Sequence, residues 1–229
     1  MTADEQHKSW QDISASMKKH RQETISAVIP AVPDARKDLP LNVTGVPSQL
    51  LPPDVVSLTE TPTETLLKKL ATGDLTSTRL TKAFLQRAGL ASHFTNCITE
   101  LLPERALARA KYLDEYFTTH RKPIGPLHGL PISVKEHIGM KDLDLNAAFI
   151  SWVGRKAPDD ALILKLLWRA GCVFYARTTE PQALMHLETS NNIYGVTVNP
   201  NTSHNPAVAH TPVPRASKSH QPYRPAPPT

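Results

Sequence analysis

Between residues 9 and 28 the chain reads SWQDISASMKKHRQETISAV. Trp10, Ile13, Met17, Ile25 and Val28 fall close to one stripe of a helix, and Lys, His and Arg fill the other face. This pattern predicts an amphipathic helix as an N-terminal unit, residues 1–29, ended by Pro30 and Pro33. Residues 30–60 hold several prolines, with little periodicity before residue 55. They predict an extended arm wrapping a body.

Helical periodicity returns in TPTETLLKKLATG. Thr61 is placed as an N-cap, Pro62 at the first helical position and Glu64 as the partner in a capping box, with Gly73 as the stop. TSTRLTKAFLQRAG predicts the next helix, with Leu80, Phe84, Leu85 and Ala88 on one side. NCITEL (96–101) is strand-like. PERALARAKYLDEYFTTH (103–120) is a helix with Leu107, Ala110, Leu113 and Phe117 facing inward. GPLHGLPISVKEHIGM (125–140) reads as turn, strand and loop. DDALILKLLWRAG (159–171) is a helix with acids at the end its dipole favours, closed by Gly171. CVFYART (172–178) is strongly β-like. Strand, crossover helix and strand at this spacing imply a parallel pair. The class is therefore α/β, with one domain over residues 61–203. Functional residues should gather beyond the carboxyl ends of its strands.

Composition changes the picture mainly at the C-terminus. Residues 196–229 contain eight prolines, no glycine and no acid, and no apolar stripe can be drawn through them. They predict a disordered, proline-rich basic tail over residues 204–229. Three of the five net positive charges belong to it, on Arg215, Lys218 and Arg224, so the body is too weakly basic to argue for nucleic acid. A tail with three basic residues and one aromatic, Tyr223, favours simple disorder over an SH3-type ligand or a nucleic-acid arm. Cys97 and Cys172 form no metal-ligand spacing and are expected as small buried side chains. MTADEQHKSW has no secretory apolar region, and the longest apolar run, ALILKLLW (161–168), is short and broken by Lys165. A cytoplasmic protein without a membrane span is the expectation.

One residue stands out against this background. In LPISVKEHI (130–138) an apolar strand ends on Lys135, and a charge is costly to bury. It either marks the strand's exit into solvent or serves as a tuned base. A desolvated lysine has a lowered pKa, and a neutral amine can take a proton from serine, as in Ser–Lys variants of the serine triad. Taken alone, the stretch favours the solvent reading. His128, His137 and His186 show no paired metal-ligand spacing, so no metal site is expected. Glu180, Glu188 and Asp160 are not paired by the sequence and read as caps or solvated groups. Asn191 and Asn192, close to Gly195, read as a turn.

The segments SWQD, DLTSTRLTKAFLQRA, FTNCITEL, ERALARAKYLDEYF, GPLHGLPISVKE and AGCVFYARTTEPQALMHLETSNNIYGVTVNP occur in this order between about Trp10 and about Pro200. Together they resemble the amidase signature family, in its fungal acetamidase-like or general amidase branch. The resemblance implies the N-terminal part of a mixed sheet layered with helices. It implies hydrolysis of carboxamides to carboxylic acid and ammonia or amine by a Ser–Ser–Lys triad, with no metal or cofactor. Lys135 would be the triad lysine, deprotonating a bridging serine held in a cis peptide, which in turn activates the nucleophilic serine. The implied partner is a small carboxamide, with homodimers as in some members, and neither nucleic acid nor membrane.

Downstream the chain departs from that pattern. Family members enter a GGSSGGE-like stretch soon after YGVTVNP. It supplies the bridging serine, and the nucleophile follows in a second glycine-rich loop. Here Asn199 and Pro200 lead into NTSHNPAVAHTPVPRASKS, and no glycine follows Gly195. Ser203, Ser217 and Ser219 lie in no loop able to take those backbone shapes, so none is given a catalytic role. LNAAFISWVG also stands where relatives carry a TTIGY-like run. The departure predicts a frameshift, a misassigned intron or a truncation near residues 203–206. Two readings follow. The chain is either the truncated N-terminal portion of an amidase, with Lys135 alone of its triad, or a catalytically inactive remnant with no enzymatic role of its own.

Overall fold

The computed structural model describes residues 9–34 and 39–206. Helix α1 (Trp10–Ser26) begins with a capping box: Asp12 N–H donates to Ser9 Oγ, and Ser9 N–H donates to the Asp12 carboxylate. Its inward face is more polar than the hydropathy pattern predicts. Trp10 is 54% exposed, whereas Ser14 and Ile25 are buried. The polar members of that face are all bonded, which removes the cost of burying them. Ser14 Oγ donates to the Ile193 carbonyl at 2.7 Å, Arg21 to Asn96 Oδ1 at 2.6 Å, and Leu101 N–H donates to Thr24 Oγ1 at 3.0 Å.

The expected extended arm contains two short helices, α2 (Pro47–Leu50) and α3 (Pro53–Glu60). The prolines read as breakers are helix starts. A first-turn position needs no N–H and suits the fixed proline φ. Val43, Val46, Leu51 and Val55 clamp this segment onto Ala83, Leu90 and Phe94 of α5 (Ser77–Thr95). The capping box expected at Thr61 is absent. Pro62 precedes α4 (Thr63–Thr72), and the Thr61 hydroxyl donates backwards to the Ser57 carbonyl at 2.7 Å, closing α3. Gly73 does end α4, at φ +80°.

Helix α5 carries Leu80, Leu85 and Ala88 into the interior. Its first turn is capped from a distance: Ser77 and Thr78 N–H donate to the two Asp114 carboxylate oxygens of α6 (Pro103–His120), at 2.6 and 3.0 Å. Three strands form the sheet, β1 (Ile98–Leu101), β2 (Pro131–Lys135) and β3 (Val173–Thr178), in the order β1-β3-β2. β2 and β3 are parallel, as the crossover through α7 (Leu162–Arg169) requires, and β1 runs antiparallel to β3. Alternation along β3 splits the core. Val173 and Tyr175 pack with Ile25, Leu85, Ala110 and Leu113, while Cys172 and Phe174 pack with Val134, Met140 and Leu164. Cys97 and Cys172 are both buried and free, as expected of small side chains.

Helix α7 begins at Leu162 rather than Asp159, because both acids are engaged elsewhere. Asp160 accepts the Lys141 N–H at 2.7 Å, and Asp159 pairs with Lys165. Gly171, at φ +98°, cannot be replaced: a Cβ there would lie 2.7 Å from Ile124 and 2.9 Å from the His128 backbone. Two hairpins follow, β4 (Ser190–Asn191) with β5 (Gly195–Val196), and β6 (Val198–Asn199) with β7 (Thr202–Pro206). β7 carries paired backbone three residues into the expected tail. The rest of that tail, residues 207–229, lies outside the described residues. Among the described residues no helix is long and apolar enough to cross a membrane.

Candidate active site

The parallel strands deliver two residues side by side: Lys135 ends β2 and Thr178 ends β3, and the two are register partners. Lys135 is half-buried. The chain turns immediately after it, with Ile138 N–H donating to the Lys135 carbonyl and Glu136 N–H to the Thr178 carbonyl, both at 3.0 Å. This places Lys135 beyond the carboxyl ends of a parallel pair, where α/β sheets present their working residues.

Beneath that turn lies a cluster of buried charges. Arg177, on β3 and 1% exposed, donates through Nη1 to the Glu100 carboxylate at 2.7 Å. Its Nη2 donates to the Glu136 and Asp144 carbonyls and stands 3.4 Å from the Glu136 carboxylate. Glu100 also meets His20 of α1 at 3.0 Å, a hydrogen bond that raises the His20 pKa. Burial pushes the Glu100 carboxyl up, but His20 and Arg177 outweigh burial and hold it below the usual range. Glu136, 2% exposed, accepts N–H groups from Asn146 and Ala147, each at 2.8 Å. Its carboxylate thus pins the loop after β2, where Ala147 and Ala148 hold positive φ.

Glu180 completes the cluster. It is 1% exposed, and one of its oxygens accepts the Glu136 N–H at 3.2 Å. Burial first, then the hydrogen bond and the like charge of Glu180, pushes the Glu136 carboxyl up to about 8, against the opposing pull of Arg177 and the Asn146 N–H. The proton-bearing form of Glu136 is thereby favoured beyond the ordinary carboxyl range, which lessens the repulsion between the two acids.

The sign of the pH dependence follows. Glu136 titrates near its ordinary value of 4.5 when unfolded and near 8 when folded, so the folded state holds the extra proton between those limits. Stability contributed below about 4.5 is lost as pH rises through 8. Glu180→Gln removes the like charge and leaves an oxygen for the Glu136 N–H. The urea midpoint of this variant is expected to fall less between pH 5.5 and pH 8.5 than that of the parent chain. Equal slopes would show that Glu180 does not set the Glu136 titration.

The other candidates do not converge on Lys135. His128 is buried and takes the Ile124 N–H at 3.2 Å. His186 bonds locally to the Glu188 backbone in an exposed loop. His137 stands 3.9 Å from Glu180, beyond hydrogen-bond reach. Among the described residues no group of three or more His, Cys, Asp or Glu side chains is arranged to hold a metal ion. Asn191 builds its turn as expected: Oδ1 accepts the Ile193 and Tyr194 N–H groups, and Nδ2 donates to Thr179 Oγ1 and the Glu180 carbonyl. Ser203 lies within β7, and Ser217 and Ser219 lie outside the described residues.

A family model described as Amidase matches residues 79–207, more than half of the chain. The chain belongs to the amidase family. It is 40% identical over 197 residues to an acetamidase of Emericella nidulans, a match covering 84% of this chain and 35% of that protein. An acetamidase of Aspergillus oryzae is 41% identical over 198 residues, with the same coverage. Among solved structures, a fatty acid amide hydrolase superposes with a TM-score of 0.75 at 34% identity, covering 84% of this chain and 36% of the other. The amidase chain described here thus spans about a third of the length of these relatives. The matched residues contain Lys135 and all of β2, α7 and β3. Glu136 and Arg177, which organise the site, were not singled out from the sequence. The available signal was a second charge directly after the strand-ending lysine and an arginine inside an otherwise apolar strand.

Proposed function

We propose that Lys135 is the base of a carboxamide hydrolase of the Ser–Ser–Lys type, and that this chain carries that base without its serine partners. The carrying observation is the position of Lys135 at the end of a parallel strand inside the matched amidase segment. In the proposed scheme the Lys135 amine takes a proton, through a bridging serine, from the serine that attacks the amide carbon. The C–N bond then breaks, the proton leaves with ammonia or amine, and water releases the acid from the acyl-serine. Lys135 supplies only the first of these groups. Nucleophile and oxyanion donors provide much of the rate in acyl transfer, so the chain alone is read as catalytically silent.

The purified chain is expected to release no ammonia from acetamide or benzamide above background. A chimera in which residues 10–200 replace the matching segment of the Emericella nidulans acetamidase is expected to release it. Turnover by the chain alone would overturn the silent reading. A folded chimera without turnover would overturn the assignment of this segment as a competent base-bearing part.

A further inference from the structure

A cleft of about 800 Å³ opens between α6 and α7 and shares no residue with the Lys135 cluster. Its volume lies in the range of small-molecule sites. One wall is aromatic. The Arg109 guanidinium stacks over the Trp168 ring at 3.9 Å and lies 5.3 Å from the Tyr112 ring, and Trp168 stacks in turn near Phe174. Arg109 is 7% exposed and is fixed by donating through Nη2 to the Trp168 carbonyl at 2.7 Å.

The charge of the cleft is one-sided. Arg105, Arg109, Lys165 and Arg169 line it, against Asp160. Lys165 is paired with Asp159, and Asp160 is bound to the Lys141 N–H. Among the described residues no carboxylate comes within 4 Å of the side-chain nitrogens of Arg105, Arg109 or Arg169. A buried guanidinium held between aromatic rings and carbonyls, with no counter-charge, suits an anion that also offers a flat apolar body. We propose that this cleft binds small aromatic carboxylates, with the carboxylate on the arginines and the ring against Trp168 and Tyr112.

The test is calorimetric titration of the full chain with 1-naphthoate. Saturable one-to-one binding is expected, with the uncharged 1-naphthamide binding at least about tenfold more weakly, as the loss of one charge-assisted contact implies. Arg105 and Arg169 are exposed, so their joint replacement by alanine should leave the core intact while weakening naphthoate by a similar factor. Lys135→Ala should bind naphthoate unchanged. Absence of saturable heat, equal binding of the amide, or loss of binding in Lys135→Ala would each overturn the assignment.

Discussion

In the acetamidase chimera, Lys135→Ala is expected to lower kcat/KM for acetamide by roughly 10²- to 10⁴-fold, the range that a positioned base contributes. The loss should appear in kcat more than in KM, because a base acts in the transition state rather than in substrate binding. Lys135→Arg separates this role from a structural one. Arginine keeps the charge and much of the length but cannot give up its proton near neutral pH. If Lys135 only closed the strand end with a positive charge, Lys135→Arg would restore activity. If it is the base, both variants stay inactive while their circular dichroism and thermal midpoints remain close to the parent. Parent-like turnover by either variant would remove Lys135 from the mechanism.

Arg177→Met should cost about 3–5 kcal/mol of folding stability, the usual penalty for removing one partner of a buried ion pair. Arg177 is 1% exposed and ties three segments together: Glu100 on β1, the Glu136 carbonyl directly after Lys135, and the Asp144 carbonyl in the following loop. Methionine fills much of the volume but leaves the Glu100 carboxylate with His20 as its remaining partner. Most small domains are stable by only about 5–15 kcal/mol, so the variant should unfold at markedly lower urea. Arg177→Lys should fall between, keeping one charge contact but losing the fork that reaches two carbonyls. A Met variant within about 1 kcal/mol of the parent would show that the cluster is not what holds the strand ends together.

The cluster also explains where sequence reasoning stopped. Elements marked by local pattern were legible. α6 with Ala110 and Leu113 inward, the β2–α7–β3 crossover and the Gly73 and Gly171 stops all lie where periodicity and turn chemistry put them. Misreadings came where one residue could serve two neighbours. Thr61 closes the helix before it instead of opening the one after, and Pro47 and Pro53 start helices inside a segment read as extended. Residues such as Ser14 and Thr24 turned inward against hydropathy because their partners, the Ile193 carbonyl and the Leu101 N–H, are far away in the chain.

By itself the sequence determined the α/β class, the parallel pair, the place of Lys135 at its end and membership of the amidase family. Each of these rests on spacing within a few residues or on ordered motifs. Only the tertiary structure decided what surrounds that lysine. The Arg177–Glu100 contact spans 77 residues and the Glu136–Glu180 contact 44, so neither leaves a local trace. Strand register and burial bring those charges together, and the low polarity of the interior then makes pairing with an opposite charge or a backbone donor worth more than it would be in water.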